Sequence, residues 1–242
     1  LREGIKVKKY LFSVVLVMFA QASLGEILEV YTWKPYPGKA EQLLQTFEEA
    51  AEIHSSLGIG VTINALGVGT SQNMDYVLRY DDLESYGRLK DANFGDTSWN
   101  TFLAKARANP SGELVSSWSA NNLDSSNMAD DFTEQGQVIA FFRWQPAPGA
   151  AGLQAMRQGA MTSKPVHEDL GARIEAYQIN SGENRGQVLY LMIYDSFSDM
   201  ARTNSAMASS SEWQSLLLEN SANPNFGTMV HNGQAMTIGN WD

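Results

Sequence analysis

The spacing of apolar positions along the chain changes repeatedly, and each change predicts a new structural element. Residues 26–33 alternate loosely and are rich in strand-forming side chains, which predicts a β-strand. From Lys39 the apolar residues recur at intervals of three or four, which predicts a helix that ends at Gly58. By the same criteria the following stretch contains strands at 61–68, 74–80 and 113–118, and helical pieces from Leu83 and over 99–108.

This order of elements returns because the chain repeats itself at an offset that drifts from 111 to 114 residues. The sequence WKPYPG at 33–38 reappears as WQPAPG at 144–149. Rare residues also recur in the same order, which chance does not produce: His54 matches His167, Tyr80 matches Tyr194 and Trp99 matches Trp213. The second copy is predicted to have strands at 138–144, 173–179, 188–194 and 226–238, and helices at 153–170, 197–207 and 212–218.

Each copy is therefore predicted to fold as strand, helix, strand, strand, helix, strand. Such a ferredoxin-like βαββαβ unit forms a four-stranded antiparallel sheet with its helices on one face. The other face stays apolar, since 188–193 has almost no polar position, as is typical of a strand buried on both sides. Because one unit cannot cover that face, we expect an α+β fold in which two tandem units pack sheet to sheet or close into a barrel. The predicted units are 26–120 and 137–242, joined by a polar linker at 121–136.

The N-terminal segment 1–25 has a different character. Basic residues are followed by an apolar run at 10–20 and then by small residues, which is the order of a secretory signal peptide. Cleavage after Ala22 or after Gly25 fits this pattern, which predicts export, with the periplasm as the destination. The apolar run is shorter than the roughly 20 residues that span a bilayer, and a retained N-terminal anchor is the alternative.

Composition excludes several classes of site and partner. Without cysteine the chain has no disulfide, no thiolate nucleophile and no cysteine metal site. The formal net charge of −10 disfavours nucleic acid and anionic membrane surfaces as partners, since both bind positive protein surfaces. The sequence contains no hydrolase elbow, P-loop or Rossmann fingerprint. We therefore expect a small apolar or aromatic molecule as the partner, and either a monomer or a homo-oligomer.

One ordered set of motifs runs through the first copy: EVYTW at 29–33, PGK at 37–39, Phe47, His54, LG at 57–58, Asn73, YD at 80–81, Trp99 and FL at 102–103. This set resembles the NIPSNAP family of the dimeric α/β-barrel superfamily. The resemblance extends more weakly over 137–240, where Arg143 replaces Thr32. It implies an intramolecular dimeric α/β barrel with a pocket between sheet and helices. Relatives of this architecture include cofactor-free monooxygenases and haem-binding chlorite dismutases, so the resemblance implies such activities as alternatives.

Three histidines are candidates for chemistry. His54 and His167 occupy matching positions at the end of the first helix of each copy. One interpretation is a catalytic base, a haem ligand or a metal ligand. The other, which the repetition favours, is a cation at the helix C-terminus or a packed ring. His231 lies in the last strand without a matching residue, and the three lack metal-ligand spacing, so we expect no metal and no cofactor, with haem as the alternative.

Two arginines stand out among the predicted strands. Arg79 and Arg143 each lie between apolar neighbours, and the matching residue in the other copy is uncharged. A buried guanidinium needs an anionic partner. That partner is either a carboxylate of this chain, such as Asp75 or Glu29, or an acidic ligand.

The leading functional hypothesis is an exported protein that holds an apolar or aromatic molecule in an inter-sheet pocket. The predicted ligand-binding residues are Tyr31, Tyr76, Arg79, Arg143, Asn64, His54 and His167. One alternative is a cofactor-free or haem-dependent oxygenase or oxidoreductase of the same barrel superfamily. A second alternative is a protein-interaction module without a pocket.

Overall fold

The computed structural model describes residues 25–124 and 133–242 and shows both copies of the repeat. The first copy contains β1 (Ile27–Pro35), α1 (Ala40–Ser56), β2 (Gly60–Leu66), β3 (Met74–Tyr80), α2 (Leu83–Gly95), α3 (Thr97–Ala108) and β4 (Gly112–Asn122). The second copy contains β5 (Val138–Pro146), α4 (Ala150–Asp169), β6 (Arg173–Gly182), β7 (Val188–Tyr194), α5 (Phe197–Ser209), α6 (Ser211–Ala222) and β8 (Gly227–Trp241). The predicted signal peptide, apart from Gly25, and residues 125–132 of the predicted linker lie outside the described residues.

The predicted strands and helices are present, and the differences lie at their ends. Strand β4 continues to Asn122, so the first two residues of the predicted linker belong to the strand. Helix α4 begins at Ala150 rather than at 153, because its largely exposed first turn adds little to the apolar periodicity. Two helices follow the third strand of each copy, and the second of them starts at a new cap, Asp96 or Ser210.

The eight strands form one closed antiparallel barrel in the order β1-β3-β2-β8-β5-β7-β6-β4. The copies meet at two seams, where β2 pairs with β8 and β4 pairs with β6. Closure pairs the edges of both sheets and covers the face that the helices leave bare. The predicted α+β fold of two tandem ferredoxin-like units is confirmed, with barrel closure as the arrangement of the two sheets.

Alternation along the strands separates an inner and an outer apolar layer. In β1, Leu28 and Val30 belong to the inner layer, which they share with Ile179 of the second copy. Ile27 belongs to the outer layer, where helix α1 packs Phe47 against the sheet. Because side chains of a strand alternate with a period of two, neighbouring residues of one strand face different cavities.

Local caps fix where the helices begin. The Asp82 carboxylate accepts a hydrogen bond from Ser85 N at 2.7 Å, and Ser85 Oγ accepts one from Asp82 N at 3.0 Å, which forms a capping box before α2. Ser196 and Ser210 accept backbone hydrogen bonds at the starts of α5 and α6. Within the described part of the chain, no helix is both long and apolar enough to cross a membrane.

Candidate functional site

The structure divides the predicted ligand-binding residues between two cavities on opposite sides of the sheet. Tyr31 and Tyr76 face the helices, whereas Arg79 and Arg143 face the barrel interior. Tyr76 and Arg79 are three residues apart in β3, and an odd separation puts side chains on opposite faces of a strand. The prediction of one inter-sheet pocket shared by tyrosines and arginines is therefore corrected to two separate cavities.

The first cavity lies between the sheet of the first copy and helices α1, α2 and α3, and is called here the helix-side cavity. Its volume is about 570 Å³. Its walls are mainly aromatic and apolar, and include Tyr31, Trp33, Phe47, Tyr76, Trp99 and Phe102. The volume falls within the range of pockets that enclose small organic molecules.

His54 contributes the buried polar group of the helix-side cavity. Its side chain is 2% exposed, its Nδ1 lies 2.8 Å from the Tyr76 hydroxyl, and its Nε2 lies 3.2 Å from the Asn93 amide. The ring also packs against Trp99 at a centroid distance of 4.4 Å. Burial, with a smaller contribution from Lys90, lowers the pKa of His54 to about 4. The imidazole is neutral near pH 7, so the structure contradicts the predicted cation at the helix end and agrees with a packed ring.

Asn93 allows either tautomer of His54. In one arrangement the Asn93 amide donates to Nε2, and Nδ1–H donates to the Tyr76 hydroxyl. Among residues 25–124 and 133–242, Asn93 Oδ1 has no hydrogen-bond partner, so rotating the amide would let Nε2–H donate to it while Tyr76 donates to Nδ1. The triplet can therefore hold a proton on either ring nitrogen.

A second polar cluster, centred on Glu29, borders the same cavity. The Glu29 carboxylate accepts hydrogen bonds from Lys90 Nζ at 2.8 Å, Tyr86 at 2.9 Å and Tyr31 at 3.0 Å. Burial and the negative charge of Glu29 raise the pKa of Tyr31, which stays protonated. Glu29 is not the partner of Arg79: Arg79 lies opposite Leu28 in the β1–β3 register, so Glu29, the next residue along β1, points to the other face of the sheet.

The second copy repeats the histidine but not its surroundings. His167 Nδ1 lies 2.8 Å from the Tyr190 hydroxyl, and the ring packs against Trp213 at 4.3 Å. Its Nε2 has no partner within the described residues, because the position that matches Asn93 is Met207. Burial lowers the pKa of His167 to about 4.

One ring occupies space in the second copy that the first copy leaves open. Phe226 packs edge-on against Trp144 at 5.7 Å, and its ring lies so close to Gly159 that a Cβ there would meet it at 2.3 Å. The first copy has Ser111 and Gly112 at the corresponding strand start, and both line the helix-side cavity. The asymmetry between the copies thus comes from a residue that the repeat does not conserve.

The second cavity is the interior of the barrel, called here the barrel cavity, with a volume of about 550 Å³. At one end, Arg79 binds Glu26 at 2.6 Å and Glu175 at 3.2 Å, and Tyr177 donates to Glu26 at 2.7 Å. Of the two alternatives for Arg79, the structure shows pairing within the chain, with these two glutamates rather than with Asp75 or Glu29. This ion-pair network joins residues of both copies.

The opposite end of the barrel cavity is its mouth. Arg143 and His231 are cross-strand neighbours there, on β5 and β8. Asp75 lies at the same cavity and accepts a hydrogen bond from Thr32 Oγ1 at 2.5 Å. Asn64 also lines the cavity, and its Oδ1 accepts from Thr237 at 3.1 Å. Sequence analysis had named Arg143 and Asn64 but had not placed His231 beside Arg143, because pairing between β5 and β8 is not visible in the sequence.

Neither His54 nor His167 is arranged to ligate a haem iron or a metal ion. No group of three or more metal-ligating side chains is placed together among residues 25–124 and 133–242. Both ring nitrogens of His54 have protein partners, so neither offers iron a free lone pair. His167 has an unpartnered Nε2, but its ring is enclosed by Tyr190 and Trp213.

Comparison with known proteins agrees with the fold. No family model matches the chain, and no curated protein sequence matches it significantly. A Fusobacterium nucleatum protein proposed to be a monooxygenase is 12% identical, with a TM-score of 0.55 over 90% of this chain and 94% of that one. An anthrone oxidase-like protein gives the same identity and TM-score over 90% and 93%. A protein proposed to be a chlorite dismutase is 10% identical, with a TM-score of 0.53 over 89% and 95%.

At these identities the similarity establishes the fold alone. The chain therefore has the dimeric α/β-barrel fold, built from two repeats of a single polypeptide.

Proposed function

We propose that the protein binds an aromatic, mainly apolar small molecule in the helix-side cavity of its first copy. The observation that carries this proposal is a cavity of about 570 Å³ with a largely aromatic wall and a buried polar cluster, His54 with Tyr76 and Asn93. Stacked and edge-on contacts with Trp33, Phe47 and Trp99 favour a planar ring system. The location differs from the inter-sheet pocket of the sequence hypothesis, but the class of ligand is the same.

The His54–Tyr76 pair gives such a ligand an orientation. Because His54 is neutral, the pair carries no net charge, and the Tyr76 hydroxyl can offer the ligand either a donor or an acceptor according to the tautomer of His54. A phenolic or keto oxygen at this point would exchange a hydrogen bond with Tyr76 while the rest of the ligand stays on apolar walls. The export and periplasmic location inferred for segment 1–25 belong to this proposal, which places the ligand outside the cytoplasm.

Binding is tested with N-phenyl-1-naphthylamine, a neutral aromatic probe whose fluorescence rises in apolar sites. Leu103 lines the cavity, and Leu217 is its match in the second copy, 42% exposed on α6. We expect Leu103→Trp to fill the cavity and weaken probe binding at least tenfold, and Leu217→Trp to leave it within twofold. Equal affinities of the two variants, or no probe binding by the wild-type protein, would overturn the proposal.

A second candidate function is oxygenation of the bound molecule without a cofactor. The observation that favours it is the neutral imidazole behind Tyr76: the Tyr76 hydroxyl can take a proton from an activated carbon of the ligand as it passes its own proton to His54 Nδ1. For an anthrone-type substrate the overall change is a methylene group plus O₂ giving a ketone plus water, so the substrate supplies the electrons and O₂ is the oxidant. Two structurally similar proteins are described as a monooxygenase and as anthrone oxidase-like.

Oxygen uptake in the presence of anthrone tests this second function. We expect His54→Gln to lower kcat at least a hundredfold with a smaller change in KM, since the base acts on the bound substrate. His167→Gln removes the matching histidine of the second copy and should leave kcat within threefold. Failure of the wild-type protein to consume oxygen, with binding of the aromatic probe intact, leaves the binding function and rejects catalysis.

A further inference from the structure

We propose that the barrel cavity is a second ligand site, which takes an amphipathic anion with a flexible apolar chain and binds its head group at Arg143. The sheet separates this site from the helix-side cavity, so the two sites bind independently. The proposal does not depend on the function assigned to the helix-side cavity.

The interior of the barrel cavity suits an apolar chain. Both copies contribute aliphatic and aromatic side chains to its wall, among them Leu28, Val30, Val77, Phe141, Leu189 and Leu191. The floor carries charged groups, but they compensate one another: Arg79 binds Glu26 and Glu175, and Glu175 also binds Arg173 at 2.6 Å. A balanced floor offers no unpaired charge to a ligand, so the apolar end of the ligand belongs there.

The positive charge of Arg143 at the mouth, unlike the charges of the floor, is not compensated by an ion pair with a described residue. The Nε of Arg143 is also shielded from solvent without a hydrogen-bond partner among those residues. Desolvation lowers the pKa of this guanidinium, and only Glu183, which is exposed, partly offsets the effect. An unsatisfied, half-buried guanidinium gains most from a bidentate anion such as a carboxylate, sulfonate or phosphate.

Other polar groups at the mouth complete a head-group site. His231 neighbours Arg143 across the β5–β8 pair and stacks on Phe141 at 5.6 Å, with no hydrogen bond to any described residue. Thr70 and Ser71 of the β2–β3 loop line the same rim. The site thus combines the guanidinium of Arg143 with hydrogen-bonding groups, at the open end of a mainly apolar tube.

Two carboxylates also face the mouth and set its pH dependence. Glu183 is exposed, so solvent screens it. Burial raises the pKa of Asp75 to about 6, so Asp75 loses its negative charge as the pH falls through 6. Burial and the neighbouring Arg143 lower the pKa of His231, so its ring gains positive charge in acid, below its usual range. Both changes make the mouth more positive, so anion binding should strengthen as the pH is lowered.

Charge and shape together select this ligand class over its neighbours. A neutral apolar molecule would bury Arg143 further without a partner for it, which is unfavourable. A cationic amphiphile would be repelled by the same guanidinium. A small anion such as acetate would bind Arg143 but leave the apolar tube unfilled.

The test is isothermal titration calorimetry of the full protein with decanesulfonate, whose charge does not change with pH. Decanol and decyltrimethylammonium serve as neutral and cationic controls of the same chain length. We expect decanesulfonate to bind at least tenfold more tightly than decanol, and decyltrimethylammonium not to bind. Equal affinity for decanesulfonate and decanol, or no heat with decanesulfonate, would overturn the proposal.

Variants assign the head group and the chain. Arg143→Gln should weaken decanesulfonate at least tenfold and change decanol less than twofold, whereas Arg202→Gln removes an exposed arginine on α5 and should change neither. Leu103→Trp, which fills the helix-side cavity, should leave decanesulfonate within twofold. Retention of wild-type affinity by Arg143→Gln would refute the head-group assignment. If Arg143→Gln fails to fold, the comparison of decanesulfonate, decanol and decyltrimethylammonium on the wild-type protein tests the preference for an anionic head group.

Discussion

At the scale of single residues, burial sets the protonation states that matter most for stability. His54 and His167 are 2% and 4% exposed, and both have a pKa of about 4, well below the unperturbed 6.5. Asp75 moves the other way, to about 6 from 3.8. Each shift means that the folded and unfolded chains bind different numbers of protons between pH 4 and 6.5.

The first prediction concerns the free energy of unfolding in acid. As the pH falls from 6.5 to 4, the unfolded chain protonates its histidines first, so each of His54 and His167 lowers stability by about 3 kcal/mol. Asp75 binds its proton more tightly in the folded chain, so over the same range it adds about 2 kcal/mol. Urea titrations at several pH values should therefore show a net decrease in the free energy of unfolding about as large as the contribution of one histidine.

Asp75→Asn removes the opposing contribution and isolates the histidines. Between pH 6.5 and 4 this variant should lose about twice as much stability as the wild-type protein. His231→Gln is the comparison: the pKa of this histidine is also lowered, so its removal should reduce the loss of stability in acid, the opposite of the effect of Asp75→Asn. Parallel wild-type and Asp75→Asn curves would show that Asp75 is not the compensating group.

At the scale of elements, the two copies use the same helices and strands but pack them differently. α1 packs Phe47 under the sheet of the first copy, where the neighbouring helices leave an open cavity. In the second copy the chain entering β8 places Phe226 over Gly159 of α4, and that glycine accepts the ring because it has no Cβ. Phe226, which has no aromatic counterpart in the first copy, therefore fills in the second copy the space that stays open in the first copy as the helix-side cavity.

The second prediction is that Phe226→Ala opens a helix-side cavity in the second copy. Phe226 is half-buried, so the loss of stability should stay below the roughly 3 kcal/mol typical of a fully buried phenylalanine. Fluorescence titration should then show a second equivalent of N-phenyl-1-naphthylamine bound. Leu218→Ala, which truncates an exposed residue of α6, is the control and should bind one equivalent. Unchanged stoichiometry in Phe226→Ala would show that the second copy collapses onto the vacated space.

At the scale of the whole molecule, the barrel makes the copies depend on each other. Two strand seams join them, and the buried network of Glu26, Arg79, Glu175 and Tyr177 crosses between them. Neither sheet can shield its inner face alone, because the inner apolar cluster takes residues from both copies. Stability is consequently a property of the closed barrel.

The third prediction tests the buried network. Arg79→Met leaves two buried carboxylates without their shared cation, and we expect a loss of about 3–5 kcal/mol in denaturant titrations. Arg173→Met removes only the partly exposed partner of Glu175, so about 1 kcal/mol is expected. Similar costs for the two variants would mean that the network is not the electrostatic link between the copies.

The fourth prediction concerns the separated copies. A chain ending at Asp124 exposes its inner sheet face and the edges of β2 and β4, so it should not persist as a folded monomer. Mixing it with a chain that begins at residue 133 should restore near-ultraviolet circular dichroism and a 1:1 complex in size-exclusion chromatography. A folded, monomeric first half would contradict the mutual dependence of the sheets.

The sequence by itself determined the elements, the duplication and the need for the two sheets to cover each other. Local signals carry that information: strand 74–80 was predicted with its observed bounds, because period-two alternation and adjacent turn residues are properties of the chain itself. The same alternation also contained the signal that Tyr76 and Arg79 face opposite sides of β3, which the predicted single pocket overlooked.

Tertiary structure alone decided which distant residues meet. The partners of Arg79 depend on how the two copies meet in the barrel, whereas the pairing of Arg143 with His231 and the placement of Phe226 over Gly159 depend on how β8 packs on β5 and α4 within the second copy. No local pattern encodes these contacts, because each joins residues that are far apart in the chain. For that reason the sequence predicted a ligand-binding barrel, while the structure supplied two cavities and the chemistry of each.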